Sequence, residues 1–453
     1  MRLLFLIPFF ISLYYCWRNQ ADKAFLNVYL PCILIVPTYY NIRFPHMPPI
    51  SAGSGALIPI AISVLLTPRM KWRFRRMDLW VLIFMLSIGL SETLREGNPK
   101  DGIILWMEDF IEMFFAYVVG RQVIEPSLRL ETIKRVIFLF ICQTPMALYE
   151  YRFGVNPWMN FGGKIFGIEQ SWIVQLRGGS ARISTCFGHA ILAGILFVVA
   201  NALNYYLWQI YKLDKTRLGP WMSLVQKYRI PFIVLPLFLY LTGSRMPMAC
   251  AVLCLLFLQI PRFKSMRTGA IVMLLVIGVG GSIVYAGFKQ YTTVPEGQDT
   301  NDEAQSSAIY RRELIVNYAP ILAEGGWLGW GVESFPRVQG QSSIDNNYLI
   351  LELAQGKLGK YSFMMLGFEA VFTLSLCAAR FRSRESLFLV FSIMGALIGI
   401  FVALSTVALF EQVTQILFLL LGWSQSLQDT RVLGAQSMNT MPEPKFRFRR
   451  VIV

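Results

Sequence analysis

The chain reads as a succession of apolar runs separated by short polar connectors. A membrane-crossing helix needs about 20 apolar residues, fewer if it is tilted or re-entrant. Thirteen runs approach that length: 3–17, 24–40, 52–67, 79–94, 103–120, 135–151, 187–210, 230–242, 246–260, 269–288, 361–379, 386–405 and 408–423. The connectors carry the orientation. Positive residues cluster at 69–76 ("RMKWRFRR"), 121–135, 212–229, 261–267 ("PRFKSMR"), 380–384 ("RFRSR") and 445–450 ("KFRFRR"). Cytoplasmic loops of membrane proteins are rich in Lys and Arg. With every cluster on the cytoplasmic side, the runs from the third onward alternate without conflict, and connectors 95–102, 151–186 and 289–360 fall outside. Thirteen spans put the N-terminus outside as well. The first run resembles the apolar part of a signal sequence but lacks a small-residue cleavage site, so it is expected to be a retained helix.

One run departs from the pattern. Between Arg229 and Arg262 the only charged residue is Arg245, in "LTGSRMPMAC". The run is too long for one span and too short for two full ones. Gly243 and Ser244 are expected to break it, and Pro247 suits the first turn of a new helix. Arg245 is thereby placed at the outer end of a helical hairpin, facing protein or a wet cavity rather than lipid.

Composition supports this picture. Of 453 residues, 55% are hydrophobic and 15% charged, and the mean hydropathy is +0.50. A soluble chain of this length would carry far more charge. The expected fold is an all-α polytopic integral membrane protein with about 12–13 transmembrane helices. It divides into N-terminal helices (1–288), a large and partly helical outer loop (289–360), C-terminal helices (361–425) and a basic cytoplasmic tail (426–453). The net charge of +15 reads as orientation and attraction to anionic lipid, so the lipid bilayer rather than nucleic acid is the expected partner. Seven cysteines without a CxxC pair, and only His46 and His189, give no zinc pattern.

The long outer loop has parts of different character. "TTVPEGQDTNDEAQSS" is polar and is expected to be mobile. Tyr310, Leu314, Tyr318, Ile321 and Leu322 then recur at helical spacing and predict an amphipathic helix suited to the membrane surface. "GWLGWGVESF" is a glycine-aromatic turn, and a last helix is expected to end near Gly356.

Candidate chemistry collects on the outer side. Arg177, Arg182, Arg245, Arg311 and Arg312 are permanently charged forks that grip phosphate oxygens in pairs. Each could instead snorkel or pair with an acid. Asp345 precedes Asn346, Asn347 and Tyr348, all hydrogen-bonding types; it is either a base for a sugar hydroxyl or the N-cap of the helix that follows. His189 follows Arg182 by seven residues, so both can line one outer entrance. Glu108, Asp109 and Glu112 lie inside a predicted span, as a proton path or as partners of buried arginines. Walker A, GxGxxG, HExxH, GxSxG and DxD patterns are all missing, so no cofactor or metal is expected.

Three blocks, taken together, resemble the bacterial O-antigen ligase and Wzy-type polysaccharide polymerase superfamily. "RISTCFGHAILAG" is similar to a block in which an arginine precedes a Gly-Thr-Phe segment entering a span, with Cys186 standing where glycine or threonine is common. "LTGSRMPMACAVLCLL" is similar to a Thr-x-Ser-Arg block. "GGWLGWGVESF … DNNYLILELAQGKLG" is similar to a glycine-rich turn followed by His/Asp-Asn-x-Tyr-Leu. The resemblance covers roughly 180–420 and includes the large loop between the second and third blocks. It implies a metal-independent membrane glycosyltransferase of the bacterial inner membrane, acting at the periplasmic face on an undecaprenyl-diphosphate-linked glycan. Arg182 and Arg245 would contact the donor diphosphate, with Ser244 beside them, and Asp345 stands where ligases often carry histidine. That substitution points to polymerisation of repeat units, for which a chain-length regulator would be a protein partner. A ligase handing glycan to lipid A-core is the nearest alternative. A transporter or flippase of lipid-linked sugars is the alternative of another class.

Overall fold

A computed structural model describes residues 2–67, 72–95, 99–168, 174–177, 179–263, 265–292, 303–341 and 343–439. The described chain is almost wholly helical. Its strands are two small antiparallel ladders, Asn41–Ile42 with Ile50–Ser51 and Leu176–Arg177 with Ser180–Ala181.

All thirteen apolar runs lie on helices. Among the described residues, five helices are long and apolar enough to cross a membrane: Arg76–Leu94, Ala190–Leu213, Arg245–Arg262, Asn347–Arg380 and Arg384–Ala403. Pro220–Lys227 and Ile230–Leu241, bent by 67° at their junction, make a sixth if they form one span. The other runs are shorter or interrupted. Arg2–Trp17, Ala52–Leu66 and Arg267–Ser282 are short apolar helices. Phe25–Tyr29 and Phe110–Phe115 are π-helical insertions in their runs, and the run at 135–151 is divided between Arg129–Cys142 and Thr144–Phe153, where Pro145 starts the second helix.

Ala190–Leu213 lies at the centre, with Arg384–Ala403, Ile230–Leu241 and Arg245–Phe257 packed around it. Glycines let other helices cross backbone to backbone. A Cβ on Gly120 would lie 2.1 Å from the Leu419 carbonyl oxygen, and one on Gly422 would lie 2.1 Å from that of Tyr117. Apolar side chains also cover the outside. Ile233 and Tyr240, Val252 and Leu255, and Leu274, Leu275 and Val279 all face outward. Helices apolar on both inner and outer faces require an apolar solvent. The chain is an all-α membrane protein.

The segment 289–360 differs from its expectation in one respect. The predicted amphipathic helix exists as Glu303–Gly325, but its apolar stripe does not lie on a membrane surface. Leu314 and Tyr318, 1% and 0% exposed, pack with Phe335, Ile344, Leu349 and Leu353 in a small core separate from the main one. The stripe found its partner in the segment immediately downstream. The helix expected to end near Gly356 does break there: within Asn347–Arg380, non-helical backbone at Gly356 separates one helix from the next. The last helix, Glu411–Asn439, continues past the expected end at 425. Positions 293–302 of the polar loop and 440–453 of the tail lie outside the described residues.

Candidate functional site

The break expected in the run 230–260 is a turn. Ile230–Leu241 ends at Thr242, Gly243 adopts φ +60°, and Ser244 is the extended residue before Arg245–Phe257. Arg245 is thus the first residue of a helix, where the free N–H groups already present partial positive charge. No hydrogen bond or ion pair to a described residue holds its exposed guanidinium. A cation at the positive end of a helix is unfavourable by itself. It becomes favourable when an anion sits between the two.

Arg182 stitches this turn to the preceding hairpin. Its Nε donates to the Thr242 carbonyl at 2.9 Å, Nη2 to Ser244 Oγ at 2.8 Å and Nη1 to Gln175 Oε1 at 2.6 Å. Arg177 adds a bond from Nη1 to the Gly243 carbonyl at 2.7 Å. Arginine carries five N–H donors, so the three bonds of Arg182 leave two for a ligand. Behind Arg182, Glu150 anchors the chain. Its Oε1 accepts from Ser184 N, Ser184 Oγ and Asn156 Nδ2 at 3.1, 2.9 and 2.8 Å, and its Oε2 from Thr185 N at 2.8 Å.

These groups open on a cavity of about 540 Å³. Arg177, Arg182, Arg245 and Arg311 line it together with His189, Ser244 and Asp345, so residues up to 168 positions apart in sequence meet at one place. Arg337, a fifth arginine that no sequence pattern singled out, also lines it and lies over the Phe335 ring at 5.1 Å. Five guanidinium groups against one carboxylate leave a net charge of +4. Arg311 Nε is buried without a hydrogen-bond partner. Burial, and then the charges of Arg177 and Arg311, push the Arg182 guanidinium down to about 10, still cationic at neutral pH.

Asp345 is not the N-cap. Asn346 takes that role, its side chain accepting from Tyr348 N and Leu349 N at 3.0 and 3.3 Å. Asp345 Oδ1 instead accepts from Ser343 Oγ at 2.7 Å, and it forms no ion pair with the cavity arginines among the described residues. Asn346, Asn347, Tyr348 and Arg312 stay outside the lining. Asn347 is buried and accepts from Leu409 N at 2.9 Å, and the Tyr348 hydroxyl donates to the Phe401 carbonyl at 2.7 Å. Both tie the start of the helix to the segment 401–409. Arg312 has an interaction of its own.

His189 is the N-cap of Ala190–Leu213, with Nδ1 accepting from Ile191 N at 3.2 Å. Burial, then Arg182, lowers its pKa from 6.5 to about 4. The folded protein therefore holds the ring neutral more strongly than the unfolded chain does. Its contribution to stability is full above about pH 6.5 and is lost as pH falls toward 4. Replacing His189 with Asn, which retains a capping oxygen, is expected to flatten the decline of the unfolding midpoint between pH 6.5 and 4. An unchanged slope would show that other groups govern it.

Glu108, Asp109 and Glu112 line a different cavity and form no ion pair with an arginine among the described residues, contrary to the pairing alternative. Glu112 Oε1 accepts from Gln415 Nε2 at 3.3 Å instead. Comparison with known proteins adds no name to this geometry: the chain matches no family model and no curated protein.

Proposed function

We propose that this protein is a polysaccharide polymerase of the bacterial inner membrane, joining undecaprenyl-diphosphate-linked repeat units at the periplasmic face. The observation that carries the reading is the convergence of Arg182, Arg245 and Asp345 on one cavity with a strong positive charge. A lipid-linked diphosphate is an anion delivered from the membrane, and it suits a cluster of arginines beside a helix N-terminus.

In this reading the diphosphate lies between Arg245 and the two spare donors of Arg182. An acceptor hydroxyl attacks the anomeric carbon of the donor sugar, and the bond from that carbon to the diphosphate oxygen breaks. The hydroxyl proton passes to Asp345, and the arginines stabilise the charge gathering on the leaving diphosphate. Arg177 and Ser244 hold the geometry rather than contacting the reacting atoms. The resemblance of the three sequence blocks to O-antigen ligases and polymerases points the same way. Asp345, in place of histidine, favours polymerisation over ligation to lipid A-core.

The test is product length on a gel with purified lipid-linked repeat units. Arg245→Ala is expected to cut polymer formation about 100-fold or more, and Arg245→Lys, which keeps charge but not the fork, about tenfold. Polymer of normal amount and length from both variants, at normal expression, would remove the clamp. Transfer only to an added lipid A-core acceptor would identify a ligase.

A further inference from the structure

The arginine cavity has two walls. The hairpin turn and the segment before it supply Arg177, Arg182 and Arg245, and the segment 303–345 supplies Arg311, Phe335, Arg337 and Asp345. The second wall is built as firmly as the first. Arg311 lies on the helix Glu303–Gly325, and two tyrosines of that helix fasten the loop that carries Arg337. The Tyr310 hydroxyl donates to the Ser343 carbonyl at 2.6 Å, and the Tyr318 hydroxyl accepts from Val338 N at 3.2 Å. Phe335, two residues before Arg337, packs with the fully buried Tyr318 in the small second core.

Charge separates the walls. The diphosphate of the proposed donor has one acidic oxygen on each phosphorus, so it balances Arg182 and Arg245. Asp345 offsets Arg177. Arg311 and Arg337 then stay uncompensated. Neither makes a hydrogen bond or an ion pair with a described residue: Arg311 is half-buried with Nε unpartnered, and Arg337 is exposed and only lies over the Phe335 ring.

Water and salt screen these two charges while the cavity is open. Once a glycan fills it, guanidinium groups beside neutral hydroxyls lose hydration without gaining a counter-charge. An anionic group on the sugar supplies that counter-charge, and the planar fork of arginine matches carboxylate or phosphate oxygens in pairs. Phe335 and Val332 add apolar surface for the C–H face of a sugar ring. We propose that the donor glycan is acidic: the sugar held against this second wall carries a carboxylate or phosphate substituent, and Arg311 and Arg337 select it. The proposal rests on the reading of the cavity as the diphosphate site.

The probes are trisaccharides of glucuronic, galacturonic and mannuronic acid, their carboxyl-reduced neutral counterparts, the 6-phosphates of glucose, galactose and mannose with the parent sugars, and inorganic pyrophosphate. Each is titrated by calorimetry into the full-length protein in nanodiscs, the saccharides with and without pyrophosphate. At least one acidic probe is expected to bind the wild type about tenfold or more tighter than its neutral counterpart. The set that shows the preference, uronate or phosphate, names the anionic group. Arg337→Gln and Arg311→Gln are expected to bring the ratio down to about twofold or less, while Arg337→Lys keeps part of it. Arg337→Gln should change pyrophosphate affinity by less than about threefold, and Arg245→Ala should weaken pyrophosphate about tenfold or more. Arg337 is exposed and holds no other chain in place, so its variants are expected to fold. The proposal fails if no acidic probe is preferred by the wild type, or if the preference survives both glutamine variants. Pyrophosphate binding that depends on Arg245, without any acidic preference, would overturn this proposal and leave the diphosphate reading standing. An acidic preference that depends on Arg337, without pyrophosphate binding, would keep this wall as an acidic-sugar site and overturn the diphosphate reading.

Discussion

Replacing Glu150 with alanine is expected to lower stability by about 3–5 kcal/mol and to abolish glycan transfer with it. Glu150 is fully buried and its two oxygens accept four hydrogen bonds, all from the segments that carry the site. Alanine would leave Ser184 N and Thr185 N facing a void, while Asn156 Nδ2 would keep only Ser184 Oγ and the Thr185 carbonyl. Thr185 is itself held at φ +51°, a conformation it would not keep unaided. Arg182 lies two residues before Ser184, so release of this segment loosens the guanidinium from Thr242 and Ser244. Glu150→Gln keeps one accepting oxygen and turns two N–H groups toward donors, so an intermediate loss is expected. Unfolding midpoints in nanodiscs, measured beside product length, check the order: wild type, then Gln, then Ala. Equal midpoints for all three would show that the four bonds do not hold the segment.

The second large effect is expected at Gly356. This residue interrupts Asn347–Arg380 at φ +67° and ψ −165°, a conformation essentially reserved for glycine. Space is equally restrictive. A Cβ there would lie 2.4 Å from Gly329 N and 2.4 Å from the Trp327 carbonyl carbon. The glycine-aromatic turn is inserted into the break by four backbone bonds. Trp330 N donates to the Leu353 carbonyl at 2.8 Å, Gly331 N to that of Ala354 at 2.9 Å, Lys357 N to that of Gly326 at 3.1 Å, and Leu358 N to that of Trp327 at 3.1 Å. Gly356→Ala must push the turn out of the helix and is expected to cost at least about 3 kcal/mol. The same turn leads to Phe335 and Arg337, so loss of both stability and transfer is expected. A variant with a wild-type unfolding midpoint would contradict this account of the junction.

The sequence was most legible where one residue type has one physical use. Apolar runs of sufficient length became helices, and Gly243 and Ser244 marked the turn because only they break an otherwise continuous run. Arg182 and Arg245 stood out as charges next to apolar segments, and they do share a cavity with Asp345. Legibility failed where a role depends on a distant partner. Asp345, Asn346 and Asn347 are all capable caps, and the choice of Asn346 is made by the surrounding chain. Leu314 and Tyr318 look the same whether their stripe meets lipid or Phe335 and Ile344. Glu150 reads as one acid near the end of an apolar run until Ser184 and Thr185 are folded onto it. Glu411 packs its carboxylate beside Gly188, more than 200 positions away in sequence. Arg337 sits in a polar loop, where an arginine needs no explanation.

The central claim is that the arginine cavity elongates a lipid-linked glycan. The most direct measurement gives the purified protein, in nanodiscs, labelled undecaprenyl-diphosphate-linked repeat units and resolves the products by length. A ladder of multiples of the repeat unit, absent with Arg245→Ala, is the expected result. A substrate that stays at its starting length, while the same protein in liposomes moves it across the bilayer, would contradict the account and assign transport instead.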